Sequence, residues 1–202
     1  VLYMFDGQNV FFDEDATYGK SWGVADYLDY TDTPLIVAAV ECNAGANNER
    51  LVEYSPYRFD DKQYGHFDGK GKDTLNWFVH EFKPYIDAIY RTEPVRAHTF
   101  IGGSSMGGLM SLYALLQYSD VFGRAAALSP SASPAPTWWS GTHSFVSSGS
   151  EAVFSFSSIT YILSWAKRSR PMWKSWIRLS SVGVSSRIFL WNVTNDDMLS
   201  GR

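Results

Sequence analysis

The most informative segment of this 202-residue chain is Ile101-Gly102-Gly103-Ser104-Ser105-Met106-Gly107-Gly108. It contains the pattern Gly-x-Ser-x-Gly, centred on Ser105. An apolar run at 97–101 precedes it and is typical of a buried strand, and the nearly all-apolar segment 109–118 after it indicates a buried helix. Glycines two residues before and after a serine let a strand and a helix approach closely at a tight turn. The stretch therefore predicts a nucleophilic serine, Ser105, exposed above a sheet.

Other glycine-rich turns fit this stretch less well. A phosphate-binding loop would continue with Gly-Lys-Ser/Thr, and a dinucleotide-binding turn would read Gly-x-Gly-x-x-Gly. Neither pattern is present at 102–108, although a glycine-rich helix start that merely packs closely stays open. In a nucleophilic turn, the amide of the residue after the serine, Met106, would donate a hydrogen bond to the oxyanion. The following helix would direct its positive end to the same place.

Strand-like and helix-like segments alternate along the rest of the chain. Short apolar runs at 1–5, 35–40, 124–128 and 187–193 predict further strands. Helical spacing of apolar residues over 75–89 predicts an amphipathic helix with Asp73 as its N-cap, and Pro84 should kink this helix or start its second half. This alternation predicts an α/β fold with a mostly parallel sheet flanked by helices.

Composition excludes several other classes of protein. The chain is 45% hydrophobic and 19% charged, which suits one globular domain rather than a disordered or coiled-coil protein. The net charge of −4 gives no reason to expect a nucleic-acid partner. No apolar stretch is long enough for a membrane span. The single cysteine, Cys42, excludes an internal disulfide and most simply packs as a small apolar side chain.

The charge balance changes near residue 131. The tail holds 3 of the 21 acidic residues but 7 of the 17 basic ones, together with six of the eight tryptophans. We therefore divide the chain into a core over 1–131, which carries the Ser105 turn, and a divergent tail over 132–202. The tail is interpreted as a lid or insertion, or as the product of a reading-frame disturbance. The strand-like run at 187–193 would return it to the core.

Several segments of the chain resemble one known family. The segment Met4-Phe5-Asp6-Gly7-Gln8-Asn9-Val10-Phe11, the turn at 102–108 and the segments 118–123 and 128–131 resemble esterases related to enterochelin esterase and esterase D. The resemblance implies the α/β-hydrolase fold, with Ser105 as nucleophile and the backbone amides of Gln8 and Met106 as the oxyanion hole. It covers 1–131 well and fades afterwards. The family fold has strands before residue 1, so the resemblance implies a chain incomplete at both ends.

The remaining catalytic residues are less well defined. The resemblance places the acid after the strand at 187–193, which makes Asp197 the first choice and Asp196 the second, although a plain turn is an equal reading. A histidine should follow the acid in this fold. After Ser105 the sequence has only His143, which precedes the acid, so its use would require a reordered triad. The alternative is a surface histidine in a loop.

Three functions follow as hypotheses. The first is a serine carboxylic-ester hydrolase acting on a small-molecule ester without cofactor or metal. The second is an acyltransferase on the same turn, with an alcohol in place of water. The third is a catalytically incomplete remnant or binding module, which the missing downstream histidine favours. A cytoplasmic location is the default expectation, since no signal peptide is visible.

Overall fold

A seven-stranded sheet forms the centre of the computed structural model. The structure describes residues 1–62 and 65–131 in full and the backbone of three later strands. The strands of this sheet are β1 (Leu2–Met4), β2 (Val37–Val40), β5 (Phe100–Ser104), β6 (Arg124–Leu128), β7 (Glu151–Ser155), β8 (Lys174–Ser180) and β9 (Arg187–Val193). A separate hairpin consists of β3 (Phe59–Asp61) and β4 (Gly65–Phe67).

The strand order is β7-β6-β5-β1-β2-β9-β8. The five strands from β7 to β2 are parallel, whereas β9 runs antiparallel to β2 and β8 antiparallel to β9. The predicted fold class, a mostly parallel sheet flanked by helices, is therefore confirmed. Because β1 lies between β2 and β5, the loops that follow β1 and β5 leave the sheet side by side at its carboxyl edge.

Five α-helices connect these strands within the described residues. They are α1 (Val24–Tyr30), α2 (Glu49–Glu53), α3 (Gly71–Trp77), α4 (Lys83–Ile89) and α5 (Met106–Gln117). A π-helical turn over Phe78–Phe82 joins α3 to α4, and Pro84 lies in the first turn of α4. Proline lacks an N–H and is tolerated in a first turn, so it starts the second half of the helix as predicted.

Alternate residues of the strands face two separate apolar layers. Tyr3 of β1 packs with α3, α4 and α5 on one face, while Leu2 and Met4 pack with α1 on the other. Helix α5 lies wholly in the first layer, and its residues from 106 to 115 are all buried. A strand covered on both faces reads as a continuous apolar run, which explains why the runs at 1–5 and 35–40 showed no alternation.

Two predicted boundaries were wrong. The strand predicted over 97–101 begins at Phe100, because Arg96–His98 form a 3₁₀ turn that the Thr99 side chain closes by donating to the Val95 carbonyl at 3.0 Å. Asp73 is not the N-cap of its helix, since α3 begins two residues earlier at Gly71. A local hydrogen bond, invisible in the apolar pattern, sets the first of these boundaries, and at the second the Gly71 N–H donates to the distant Ser55 carbonyl at 2.7 Å.

Candidate active site

Ser105 lies on the turn between β5 and α5 in a strained backbone conformation. Its φ of 57° and ψ of −117° are unusual for a residue with a side chain. The N–H of Ser105 donates to the Leu128 carbonyl at 2.9 Å, and the carbonyl of Ser105 accepts from the Ser131 N–H at 2.9 Å. These bonds to the segment at and after β6 hold the turn, and the residue itself is exposed.

The glycines around Ser105 allow the strand and helix to meet. A Cβ atom at Gly103 would lie 2.7 Å from the backbone of Gly107, which is closer than real Cβ atoms approach other atoms. A Cβ atom at Gly107 would lie 3.0 Å from both the Cβ of Phe5 and a carboxylate oxygen of Asp6. The first contact closes the turn, and the second brings the loop after β1 against the first turn of α5.

The helix that follows supplies unpaired amides next to Ser105. Met106 is the first residue of the 12-residue helix α5. The first N–H groups of a helix have no partner inside it, and its N-terminus carries partial positive charge. Among the described residues, the N–H of Met106 has no hydrogen-bond acceptor. This group can therefore stabilise a negative charge that develops beside Ser105.

Gln8 lies in the neighbouring loop, after β1. Residues Gly7–Asn9 form a 3₁₀ turn, and a Cβ atom at Gly7 would lie 2.7 Å from the backbone of Val40. Within the described part of the chain, the N–H of Gln8 has no hydrogen-bond acceptor, like that of Met106. Since the loops after β1 and β5 are adjacent, the structure brings the turns of Gln8 and Met106 to the same edge of the sheet.

The side chain of Gln8 is turned into the protein and bound there. Its Oε1 accepts from the Cys42 N–H at 3.2 Å, and its Nε2 donates to the Cys42 sulfur at 3.1 Å. Burial, with a smaller contribution from the charge of Asp6, raises the pKa of the Cys42 thiol to about 12. The thiol is therefore neutral at pH 7, so Cys42 anchors Gln8 rather than acting as a nucleophile.

An ion pair between the buried Asp6 and the partly exposed Arg50 lies beside these turns, and the sequence did not predict it. Arg50 of α2 donates from Nε to Asp6 Oδ1 at 2.5 Å and from Nη2 to Asp6 Oδ2 at 2.8 Å. Its Nη2 also approaches the carbonyl oxygen of Ser104 at 3.3 Å. Burial alone would lower the pKa of Arg50, but the hydrogen bonds and charge of Asp6 outweigh it and raise this pKa. The signal that the sequence offered is Asp6, an acidic residue directly before Gly7 in the segment 4–11.

Asp6 itself is held in an unusual conformation. Its φ of 57° and ψ of 48° place it in the left-handed region, which aspartate tolerates better than most residues. Its N–H donates to the Tyr54 hydroxyl at 3.1 Å, and its carboxylate is 2% exposed. Tyr54 packs edge-on against Phe5, and the Arg50 guanidinium lies 5.2 Å from the centre of the Tyr54 ring.

The predicted acid and base cannot be placed in this geometry. Asp197, the alternative Asp196 and His143 lie outside the described residues, so their roles stay predictions. The direction of β9 bears on the acid. Because β9 is antiparallel to β2, its last residue, Val193, lies toward the amino edge of the parallel strands, opposite the edge of Ser105. The apolar pattern that predicted this strand carried no information on its direction.

The three described histidines bind elsewhere. His66 lies on the β3–β4 hairpin and pairs with Asp60 at 2.7 Å. His98 pairs with Glu93 before the start of β5, at the edge opposite Ser105. His80 lies in the π-helical turn with its ring 6.5 Å from that of Tyr118, which follows the far end of α5. The structure thus gives none of the described histidines a contact with Ser105.

Comparison with known proteins identifies the family. A family model described as "Putative esterase" matches residues 1–187. The chain belongs to this esterase family. The match extends beyond residue 131, where the resemblance of the motifs fades. The chain is also 32% identical over 89 residues to the uncharacterized protein YbbA of Bacillus subtilis (strain 168), a match that covers 41% of this chain and 34% of that protein.

Solved structures of other hydrolases share the fold. The enterobactin and salmochelin hydrolase IroE is 22% identical, with a TM-score of 0.51 over 70% of this chain and 53% of that one. An IroE-like serine hydrolase from Shewanella oneidensis is 22% identical, with a TM-score of 0.50 over 69% of this chain and 43% of that one. The esterase-family chain therefore has the fold of these proteins and spans about a third to a half of the length of the relatives above.

Membrane-spanning helices and metal-holding clusters are both absent from the part of the chain that the structure describes. Within the described ranges, no helix of this esterase-family chain is long and apolar enough to cross a bilayer. No group of three or more His, Cys, Asp or Glu residues in those same ranges is placed to hold a metal ion. The described part of the candidate site consists of Ser105, the backbone amides of Gln8 and Met106, and the partly buried Asp6–Arg50 pair.

Proposed function

We propose that this chain carries the nucleophile and oxyanion hole of a serine carboxylic-ester hydrolase acting on small-molecule esters. The observation that carries the proposal is the strained, exposed Ser105, which lies between a strand and the free amides of a helix N-terminus. A serine in this position can reach a substrate above the sheet, and the strain is tolerated only because glycines surround it. Membership of the esterase family supports the same reaction.

In the proposed reaction, Ser105 Oγ forms a bond to the ester carbonyl carbon while its proton passes to a histidine. The carbonyl oxygen becomes negative and accepts hydrogen bonds from the N–H groups of Gln8 and Met106. The alcohol then leaves with the proton, and an acyl group remains on Ser105. Water repeats the sequence and releases a carboxylic acid. We propose His143 as the proton acceptor and Asp197 as its acid partner, an assignment that requires the chain after Val193 to return from the amino edge of the sheet to the edge of Ser105.

Labelling with a fluorophosphonate probe tests the nucleophile directly. The probe should modify the wild-type protein at Ser105, as identified by mass spectrometry of the labelled peptide, and should not modify Ser105→Ala. Ser104→Ala is a matched control, because it removes the adjacent hydroxyl from the same turn and should leave labelling intact. Absence of labelling in a folded wild-type sample would refute the proposal and favour the catalytically incomplete remnant.

A second measurement separates hydrolysis from acyl transfer. Unlabelled protein is incubated with p-nitrophenyl acetate in the presence and in the absence of added alcohols, and the products are analysed. Hydrolysis predicts acetate as the main product at all moderate alcohol concentrations. Accumulation of a new acetyl ester instead would assign the chain to acyltransferases on the same turn.

Loss of activity in His143→Ala would support the proposed base, and unchanged activity would exclude it.

A further inference from the structure

Arg50 contacts both loops that supply the proposed oxyanion hole. Its Nε and Nη2 bind the carboxylate of Asp6, two residues before Gln8. The same Nη2 donates to the carbonyl of Ser104, two residues before Met106. One guanidinium group therefore contacts both loops, and each contact lies two residues before one of the two amides.

We propose that Arg50 and Asp6 act as a clamp that sets the spacing of the Gln8 and Met106 amides. The clamp is defined as the Arg50 guanidinium, the Asp6 carboxylate and the Ser104 carbonyl. Both residues are positioning residues, since they reach the reacting atoms only through the backbone. This inference rests on the proposed function, because the spacing of the amides matters only if they bind an oxyanion.

The loop after β1 needs such a restraint. Asp6 has a left-handed backbone, and the 3₁₀ turn that carries Gln8 begins immediately after it. The Asp6 N–H donates to the Tyr54 hydroxyl and the Asp6 carboxylate accepts from Arg50. The backbone and the side chain of Asp6 are therefore both bound to the α2 region. Rotation of Asp6 out of this conformation would redirect the next peptide groups, including the N–H of Gln8.

The turn at Ser105 is restrained from the same side. The missing Cβ atom of Gly107 allows the Asp6 carboxylate to lie against the first turn of α5, where an added methyl group would come within 3.0 Å of Asp6 Oδ2. The Ser104 carbonyl faces the Arg50 fork immediately before the strained Ser105. The planar guanidinium can bind a carboxylate and a carbonyl at once, which a lysine ammonium on a flexible chain does less well.

Helix α2 provides a fixed base for the clamp. Its Glu53 carboxylate accepts from the Asn43 N–H at 2.7 Å, and the Glu53 carbonyl accepts from the Thr74 hydroxyl at 2.9 Å. These bonds tie α2 both to the loop after β2 and to α3. A clamp anchored on a helix that is bonded on two sides keeps two amides in place without a conformational cost at the moment of reaction.

The experiment compares two variants with the wild-type protein in hydrolysis of p-nitrophenyl acetate, with Ser105→Ala subtracted as background. Arg50→Lys keeps the positive charge beside Asp6 but removes the planar guanidinium that donates to both Asp6 and Ser104. The double variant Asp6→Asn/Arg50→Met removes the clamp without leaving a buried charge unpaired. The matched control is Asp68→Asn/Arg58→Met, which deletes an exposed Arg–Asp pair on the hairpin side.

The clamp predicts a loss in kcat with little change in KM. Misplacement of one amide donor should lower kcat by about 10- to 100-fold in Arg50→Lys and in the double variant. KM should change by less than about threefold, because the amides act mainly on the transition state. The control pair should keep wild-type kcat. Thermal unfolding of each variant identifies any loss that comes from misfolding.

Each other outcome overturns the inference in a recognisable way. Wild-type kcat in a folded double variant would mean that the pair has only a structural role. If the double variant does not fold, Arg50→Lys decides the question, and an unchanged kcat there refutes the clamp. If the wild-type protein has no turnover that depends on Ser105, the proposed function fails and the inference fails with it.

Discussion

Replacing Ser105 by glycine should stabilise the protein although it removes the proposed nucleophile. At φ 57° and ψ −117° a side chain is strained by about 1–3 kcal/mol, whereas glycine adopts this conformation freely. Glycine in turn lowers stability by about 0.5–1 kcal/mol through the entropy of the unfolded chain. Ser105 is exposed, and its backbone bonds to Leu128 and Ser131 do not need the side chain. The net gain is therefore about 1 kcal/mol in the free energy of unfolding.

Thermal unfolding with Ser105→Ala as the matched variant measures this gain. Alanine also lacks the hydroxyl but keeps the Cβ atom, so it should unfold close to the wild type. For a chain of this length, 1 kcal/mol corresponds to about 2–4 °C in Tm. We expect Ser105→Gly to unfold about 2–4 °C above Ser105→Ala. An equal or lower Tm for Ser105→Gly would refute the strain, and with it the argument that this turn is built to expose a reactive side chain.

Three further predictions concern the supports of the site. Gly103→Ala places a methyl group 2.7 Å from the backbone of Gly107 and should lower the free energy of unfolding by about 1–3 kcal/mol in urea denaturation; a neutral result would contradict the close approach. Arg50→Met alone leaves the buried Asp6 carboxylate unpaired and should cost roughly 3 kcal/mol in the same assay, much of which Asp6→Asn should restore. The pKa of Cys42, about 12 in the folded protein against an ordinary 9.0, means that unfolding favours the ionised thiol at high pH. Stability should therefore be unaffected by this group below about pH 9 and fall as the pH rises toward 12. Cys42→Ala should make that fall shallower, and identical pH profiles of the two proteins would show that the thiol pKa is not raised.

The parts of the fold that sequence predicted are those set by neighbours along the chain. The strand at 124–128 and the turn around Ser105 follow from apolar runs and from glycine spacing within a few residues. The start of β5 was misplaced, because the 3₁₀ turn at Arg96–His98 depends on a side-chain hydrogen bond from Thr99. The antiparallel direction of β9 depends on its pairing with β2, about 150 residues earlier in the sequence. Apolar periodicity contains no information on either.

The candidate site shows the same division more sharply. Ser105 was predicted as the nucleophile from five adjacent residues, whereas the Asp6–Arg50 pair joins residues 44 positions apart. An isolated acidic residue and an isolated arginine are most often solvated, so neither indicates a buried pair until the fold brings them together. The family resemblance pointed to Gln8, but it did not reveal that the Gln8 side chain is bound to Cys42.

Of the groups that we assign to the reaction, three lie in the described residues and two of these are backbone amides, which explains why glycines were the most informative residues. Every residue except proline has a backbone N–H, so no side chain marks an oxyanion donor in a sequence. What the sequence does record is the space that these amides require. Gly7 lies against the backbone of β2, and Gly107 lies against Phe5 and Asp6. A side chain at Gly7 would push the loop after β1 away from β2, and one at Gly107 would push that loop away from the first turn of α5. The glycines thus bring the donors together, and the Asp6–Arg50 pair then holds them at a fixed distance.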